Sequence, residues 1–277
     1  MVKVPELKSQ HIWIVVLIAL VIPAIFPLGV PIQSSAATEN IYNFIESLPR
    51  GSIVVMGGSG NFAFDLESSA GMIAAIKQMA RRGLRLVGTP FGVEAVPLQK
   101  YCVDAARVDQ KYGGPWKYGV DYVQLPYLPG GAAAYVSFLK DVWATVYTDV
   151  QGTPLSAIPL MKDFHSYKDI ALWLCPHYDF PNAVRYATQE RGIPSVYFAQ
   201  AAVYSTYAPY MVQFPGKVWM TNGFLGGAQY EKLVGMSGLG TSAIDAYALV
   251  SVVFIGFVVL GNTVLLQKVG KEEEEKI

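Results

Sequence analysis

Ser52-Ile53-Val54-Val55-Met56-Gly57-Gly58-Ser59-Gly60-Asn61 is an apolar run ending in a glycine-rich loop, and the helical stretch Ala70 to Arg82 follows it. A strand that reads as continuously apolar belongs to a sheet covered on both faces. The same unit recurs. Further strand patterns occupy Leu84 to Gly88, Asp121 to Leu125, Ile170 to Leu174 and Ser195 to Phe198, with a sixth at Val218 to Thr221. Helical stretches Ala95 to Tyr112, Ala132 to Tyr147, Pro181 to Arg191 and Ala201 to Tyr210 separate them, and Thr38 reads as the N-cap of an earlier helix through Leu48. Strands alternating with helices predict an α/β domain with a doubly wound, mostly parallel sheet, Rossmann-like or flavodoxin-like.

Outside this domain the chain changes character. AVILMFWYC residues make up 52% of the 277 and charged residues only 15%, against roughly 25% charged in a typical globular chain. Two terminal runs hold the excess, Ile12 to Val30 and Ala246 to Leu266. Each approaches the ~20 residues that a helix needs to cross a bilayer. The expected organisation is a cytoplasmic tail over 1–10, a transmembrane helix over 11–31, an extracytoplasmic domain over 32–244, a second transmembrane helix over 245–266 and an acidic cytoplasmic tail over 267–277. Lysines decide the orientation. Lys3 and Lys8 precede the first run and Lys268, Lys271 and Lys276 follow the second, whereas the nearest inner basic residues are Arg50 and Lys232. That bias places both tails in the cytoplasm of a two-span plasma-membrane protein. The first run reads as a retained signal anchor, since it exceeds the roughly 7–15 apolar residues of a cleaved signal. Pro23, Pro27 and Pro31 in its outer half bend or end the helix.

Residues 32–244 carry 16 Lys+Arg and 15 Asp+Glu. So small a surplus gives no basic field for nucleic acid. In an open parallel sheet, ligands bind beyond the carboxyl ends of the strands, which here are the loops starting at Gly57, Thr89, Pro126, Cys175 and Gln200. Gly57, Gly58, Ser59, Gly60, Asn61 and the following Asp65 form the candidate ligand cradle, because glycines can turn backbone amides toward an anion at a helix start. A tight structural turn is the competing reading. The loop lacks the Gly-x-Ser-x-Gly, Gly-Lys-Ser/Thr and Gly-x-Gly-x-x-Gly patterns, and Asp65 and Glu67 would repel a phosphate.

Cys175, His177 and Asp179 alternate after the fourth strand, a pattern open to a metal corner or to a nucleophile with its base. The only other histidines are His11 and His165, and no Cys-x-x-Cys or His-Glu-x-x-His occurs. A packed loop is therefore expected, and no catalytic residue, metal ligand or cofactor is assigned. Cys102 and Cys175 are expected to be free buried thiols. Tyr204, Tyr207 and Tyr210, three residues apart, form a ridge that either packs inward or serves as a protein contact face with Gly226 and Gly227.

Tyr118-Gly119-Val120-Asp121-Tyr122-Val123, Gly152-Thr153-Pro154-Leu155-Ser156-Ala157-Ile158-Pro159-Leu160-Met161 and Gly226-Gly227-Ala228-Gln229-Tyr230-Glu231-Lys232-Leu233 precede a final span with Leu260-Gly261-Asn262. Together they resemble an uncharacterised family of prokaryotic membrane-anchored α/β proteins. The resemblance implies a sheet domain tethered by terminal helices and carries no established activity. The expected function is a structural or assembly subunit of a cell-envelope membrane complex, whose partners are the lipid bilayer and other membrane-protein subunits or copies of itself. A small-ligand sensor domain and a membrane-tethered hydrolase or transferase are the alternatives.

Overall fold

The computed structural model describes residues 8–60, 62–175 and 179–274. Asn61 and His177, together with tail residues 1–7 and 275–277, lie outside the described residues. The chain divides into two compact units, one formed by Met1–Pro31 with Thr241–Ile277 and the other by Ile32–Gly240.

The second unit is built on a six-stranded sheet in the order β3-β2-β1-β4-β5-β6, with every pairing parallel. The strands are β1 (Ile53–Gly58), β2 (Arg85–Pro90), β3 (Tyr122–Gln124), β4 (Ile170–Cys175), β5 (Ser195–Ala199) and β6 (Val218–Asn222). This is the Rossmann order, whose direction of winding reverses between β1 and β4. Alternation along β1 feeds two cores. Ile53 and Val55 point into the cluster with Phe138, Phe164 and Tyr197, and Val54 and Met56 into the cluster with Ile41, Met72, Cys102 and Tyr230. Helices α2 (Ala36–Ser47), α3 (Phe62–Arg82), α4 (Ala95–Ala106) and α10 (Gly223–Val234) cover the second face. The first is covered by α5 (Ala132–Lys140), α6 (Val142–Thr145), α7 (Phe180–Ala183, continued as a π-helix to Gln189), α8 (Ala201–Tyr207) and α9 (Pro209–Gln213).

Several helices differ from their sequence expectations for local reasons. The N-cap of α2 is Ser35, whose Oγ accepts the Thr38 N–H at 3.2 Å, while Thr38 Oγ1 donates to Gln229 Oε1 at 2.9 Å. α4 stops at Ala106 because Arg107 takes the left-handed conformation (φ 54°). Asp141 leaves helical geometry and caps α6 by accepting the Ala144 N–H, which divides the expected Ala132 to Tyr147 helix. α10 has no counterpart among the helices expected from the sequence, where Gly223, Gly226 and Gly227 lower the helix propensity of the segment.

In the other unit, α1 (Ser9–Ile25) ends six residues short of the expected 11–31 span, with Pro23 inside its last turn. Its 17 residues are fewer than α11 (Leu239–Glu274) offers. The stretch Leu239–Leu266 of α11 is long and apolar enough to cross a membrane, and it is the one such helix among the described residues. Both helices present large apolar side chains to the outside, among them Trp13, Leu17, Ile255 and Val258.

Candidate functional site

The reversal between β1 and β4 places two loops singled out in the sequence next to each other at the carboxyl edge. The β1 loop follows Gly58, and the segment after β4 carries Asp179. Ser59 Oγ donates to Asp179 Oδ2 at 2.7 Å, and the Tyr135 hydroxyl of α5 donates to the same oxygen at 2.7 Å. Asn182 Nδ2 donates to Asp179 Oδ1. One carboxylate thus joins three elements. Burial, reinforced by the neighbouring Asp179 charge, holds the Tyr135 phenol well above its ordinary pKa, so it serves as a donor.

The glycines of this loop make room for the chain's own atoms. A Cβ on Gly57 would stand 2.3 Å from Trp173 Cζ2, and the Trp173 indole donates to the Gly57 carbonyl at 3.1 Å. A Cβ on Gly92 would stand 2.8 Å from Ser59 Cβ, and the Phe91 N–H donates to the Gly58 carbonyl at 3.0 Å. Close backbone approach, for which glycine is required, is here an approach of β2, β4 and their loops to β1.

Carboxylates also occupy the neighbouring helix starts. Asp65, in the first turn of α3 and fully buried, accepts from Gln200 Nε2 at 2.8 Å. Glu67 accepts the Ala201 N–H of α8 and the Phe224 N–H of α10, each at 3.2 Å. These are the positions where a Rossmann sheet offers its amides to a phosphate. Here Asp65, Glu67 and Asp179 supply the negative charge themselves, so a polyphosphate cofactor would meet repulsion. The arrangement is that of an internally bonded turn.

Of the Cys175, His177, Asp179 corner, the structure describes Cys175 and Asp179. Cys102 and Cys175 are both buried thiols outside any disulfide, and burial together with the nearby Asp65 pushes the Cys102 thiol far above its ordinary value. Such a thiol is unreactive. No group of three His, Cys, Asp or Glu side chains with metal-holding geometry occurs among the described residues.

The tyrosine ridge faces inward. Tyr204, Tyr207 and Tyr210 are half-buried and pack on the core around Phe180, whose ring lies 6.3 Å from Tyr207 and 6.0 Å from Tyr210. Gly226 and Gly227 are buried as well. A Cβ on Gly227 would stand 2.8 Å from Ala70 Cβ, so this glycine lets α10 lie close on α3. What the carboxyl edge turns outward is a set of apolar side chains that the sequence reading did not single out: Phe62 and Leu66 after β1, Val93 after β2, Tyr127 after β3 and Leu225 after β6, all exposed. Their common signal in the sequence is a large apolar residue within about ten positions after a strand end, in a loop or in the first turns of the helix that follows.

Comparison with protein-family models, curated proteins and solved structures gives no match. The chain is a Rossmann-like α/β protein with, among the described residues, one helix long and apolar enough to span a membrane.

Proposed function

We propose that this protein is a membrane-anchored assembly subunit of the cell envelope, working through contacts made by the carboxyl edge of its sheet. The observation that carries the reading is the contrast at that edge. The polar groups of the β1 and β4 loops bond to one another, through Ser59, Asp179, Tyr135 and Asn182, while Phe62, Leu66, Val93, Tyr127 and Leu225 stand exposed above them. Apolar groups gathered on one edge favour association, because burying them removes them from water. The exposed apolar faces of α1 and α11 support anchoring. In the full reading both helices span the plasma membrane, α1 with its following segment as a signal anchor. Both tails are cytoplasmic, in keeping with the flanking lysines, and the sheet domain is extracytoplasmic. Membership of the uncharacterised membrane-anchored α/β family belongs to the same proposal.

The test is substitution at the edge. Val93→Asp and Leu225→Asp change exposed positions and should leave the melting temperature of the isolated protein within about 2 °C, since surface changes usually stay within ~0.5 kcal/mol. On native gels of membranes solubilised in mild detergent, both should release the protein from its complex. Retention of the wild-type complex by both variants would refute the edge as the contact surface.

A further inference from the structure

On the face of the sheet covered by α4, a cavity of about 140 Å³ opens between that helix and the edge strand β3. Val96 and Val103 of α4, Val150 and the rings of Tyr118 and Tyr122 line it. A cavity of this size accommodates one six-membered ring, as apolar cavities of roughly 150 Å³ do. Its two ends differ chemically.

The inner end is the amide of Gln124, which is 8% exposed. Gln124 Nε2 donates to Gln99 Oε1 at 2.9 Å and to the Leu125 carbonyl at 3.2 Å, and Gln99 Nε2 donates in turn to the Met56 carbonyl at 3.0 Å. Both donors being committed, the orientation of the Gln124 amide is fixed. Its Oε1 points over Gly88, where a Cβ would stand only 2.3 Å away, and accepts no hydrogen bond from the described residues. A carbonyl oxygen held in this way on the cavity wall is positioned to accept a donor from a ligand. The outer end is Lys100, Lys111 and Asp104. Both ammonium groups pair with the one carboxylate, Lys111 Nζ at 2.7 Å, so this end holds two cations and one anion, while Asp149 and Asp109 accept the hydroxyls of Tyr118 and Tyr122 along the wall.

We propose that this cavity binds a small hydroxyaromatic carboxylate, with the hydroxyl donating to Gln124 Oε1, the ring between Val103, Val150 and the two tyrosines, and the carboxylate at Lys100 and Lys111. The three parts of the ligand answer three features at separate places. A neutral phenol meets only the inner two, and an unhydroxylated acid only the outer two.

Isothermal calorimetry on the full chain in lipid nanodiscs, with 4-hydroxybenzoate, phenol and benzoate as probes, tests this directly. The hydroxy acid should bind about tenfold more tightly than either fragment. Val96→Phe, which extends a half-exposed wall residue across the opening, should weaken all three probes at least tenfold. Lys111→Gln should weaken the two acids roughly threefold, the scale of one partly exposed charge pair, and leave phenol unchanged. Absence of hydroxybenzoate binding up to concentrations on the order of millimolar, or binding that neither variant alters, would overturn the proposal. Phenol binding as tightly as the hydroxy acid would overturn the role of the lysines. Should Val96→Phe fail to fold, Lys111→Gln decides alone, since it changes an exposed side chain.

Discussion

The carboxylate of Asp245 is seated in the turn at Gly29: Oδ2 accepts the N–H groups of Leu28 at 2.6 Å and Gly29 at 2.9 Å, and Oδ1 accepts that of Val30 at 2.8 Å. Gly29 has φ +70°, a conformation that glycine adopts without strain and that turns successive amides toward one point. Asp245 lies in α11 and the turn follows α1, so this bond joins the two terminal helices within their unit, and the carboxylate itself is fully buried. The prolines on either side of the turn, Pro27 and Pro31, have no N–H to contribute and cannot continue a helix. The sequence marks the break, and the acceptor 215 residues away completes it.

Removal of that acceptor should loosen the turn. In Asp245→Ala, amide hydrogen exchange at Leu28, Gly29 and Val30 is expected to accelerate about tenfold, equivalent to ~1.4 kcal/mol of lost protection, with the sheet domain unaffected. Unchanged exchange at all three amides would mean that the carboxylate is a bystander.

At the carboxyl edge, Asp179→Ala should cost about 2–3 kcal/mol, because it strands the buried Tyr135 hydroxyl, whereas Ser59→Ala should cost about 1 kcal/mol. The two are each other's partner, so the double variant should lose less than the sum. Urea unfolding of the four proteins measures this, and strict additivity would show that Ser59 and Asp179 act independently.

Tyr135 and Tyr230 are raised well above the ordinary phenol value, in each case chiefly by burial. The neutral phenol is the form that the fold accommodates, while the unfolded chain ionises near the ordinary phenol value of 10.0. Their contribution to stability is therefore complete below about pH 10 and declines as pH rises further. An ultraviolet titration should show these phenolates appearing only with unfolding, and full ionisation of every tyrosine in the still-folded chain would contradict the burial.

Orientation is open to thiol labelling because both native cysteines are buried and leave the wild-type surface without a reactive thiol. A cysteine in place of the exposed Lys117 should react with an impermeant maleimide on intact cells, and one in place of Lys8 only after permeabilisation. The reverse pattern would invert the membrane orientation.

Much of the sheet was legible in the sequence, because β1, β2, β4 and β5 are buried on both faces and therefore read as apolar runs. The short edge strand β3 is weaker, with Gln124 among its three residues and Asp121 just before it. Helix ends were less legible. Ser35 and Thr38 are both good caps, and the choice between them follows from the contact of Thr38 with Gln229, a pairing 191 residues apart. α10 escaped notice because Gly227, which is unfavourable for an isolated helix, is required where α10 meets Ala70. The site loops were found, and the partnership of Ser59 with Asp179 was not, since it depends on β1 and β4 being neighbours. The order of strands in a sheet leaves no local trace in sequence.

Photo-crosslinking in living cells addresses the contact account most directly. A photoreactive residue placed at Val93 or Leu225, on the carboxyl edge, should capture one and the same protein in high yield, whereas the exposed Lys168, just before β4 at the amino edge, should capture none. Capture at Lys168 with silence at Val93 and Leu225 would contradict the claim that this protein works through the carboxyl edge of its sheet.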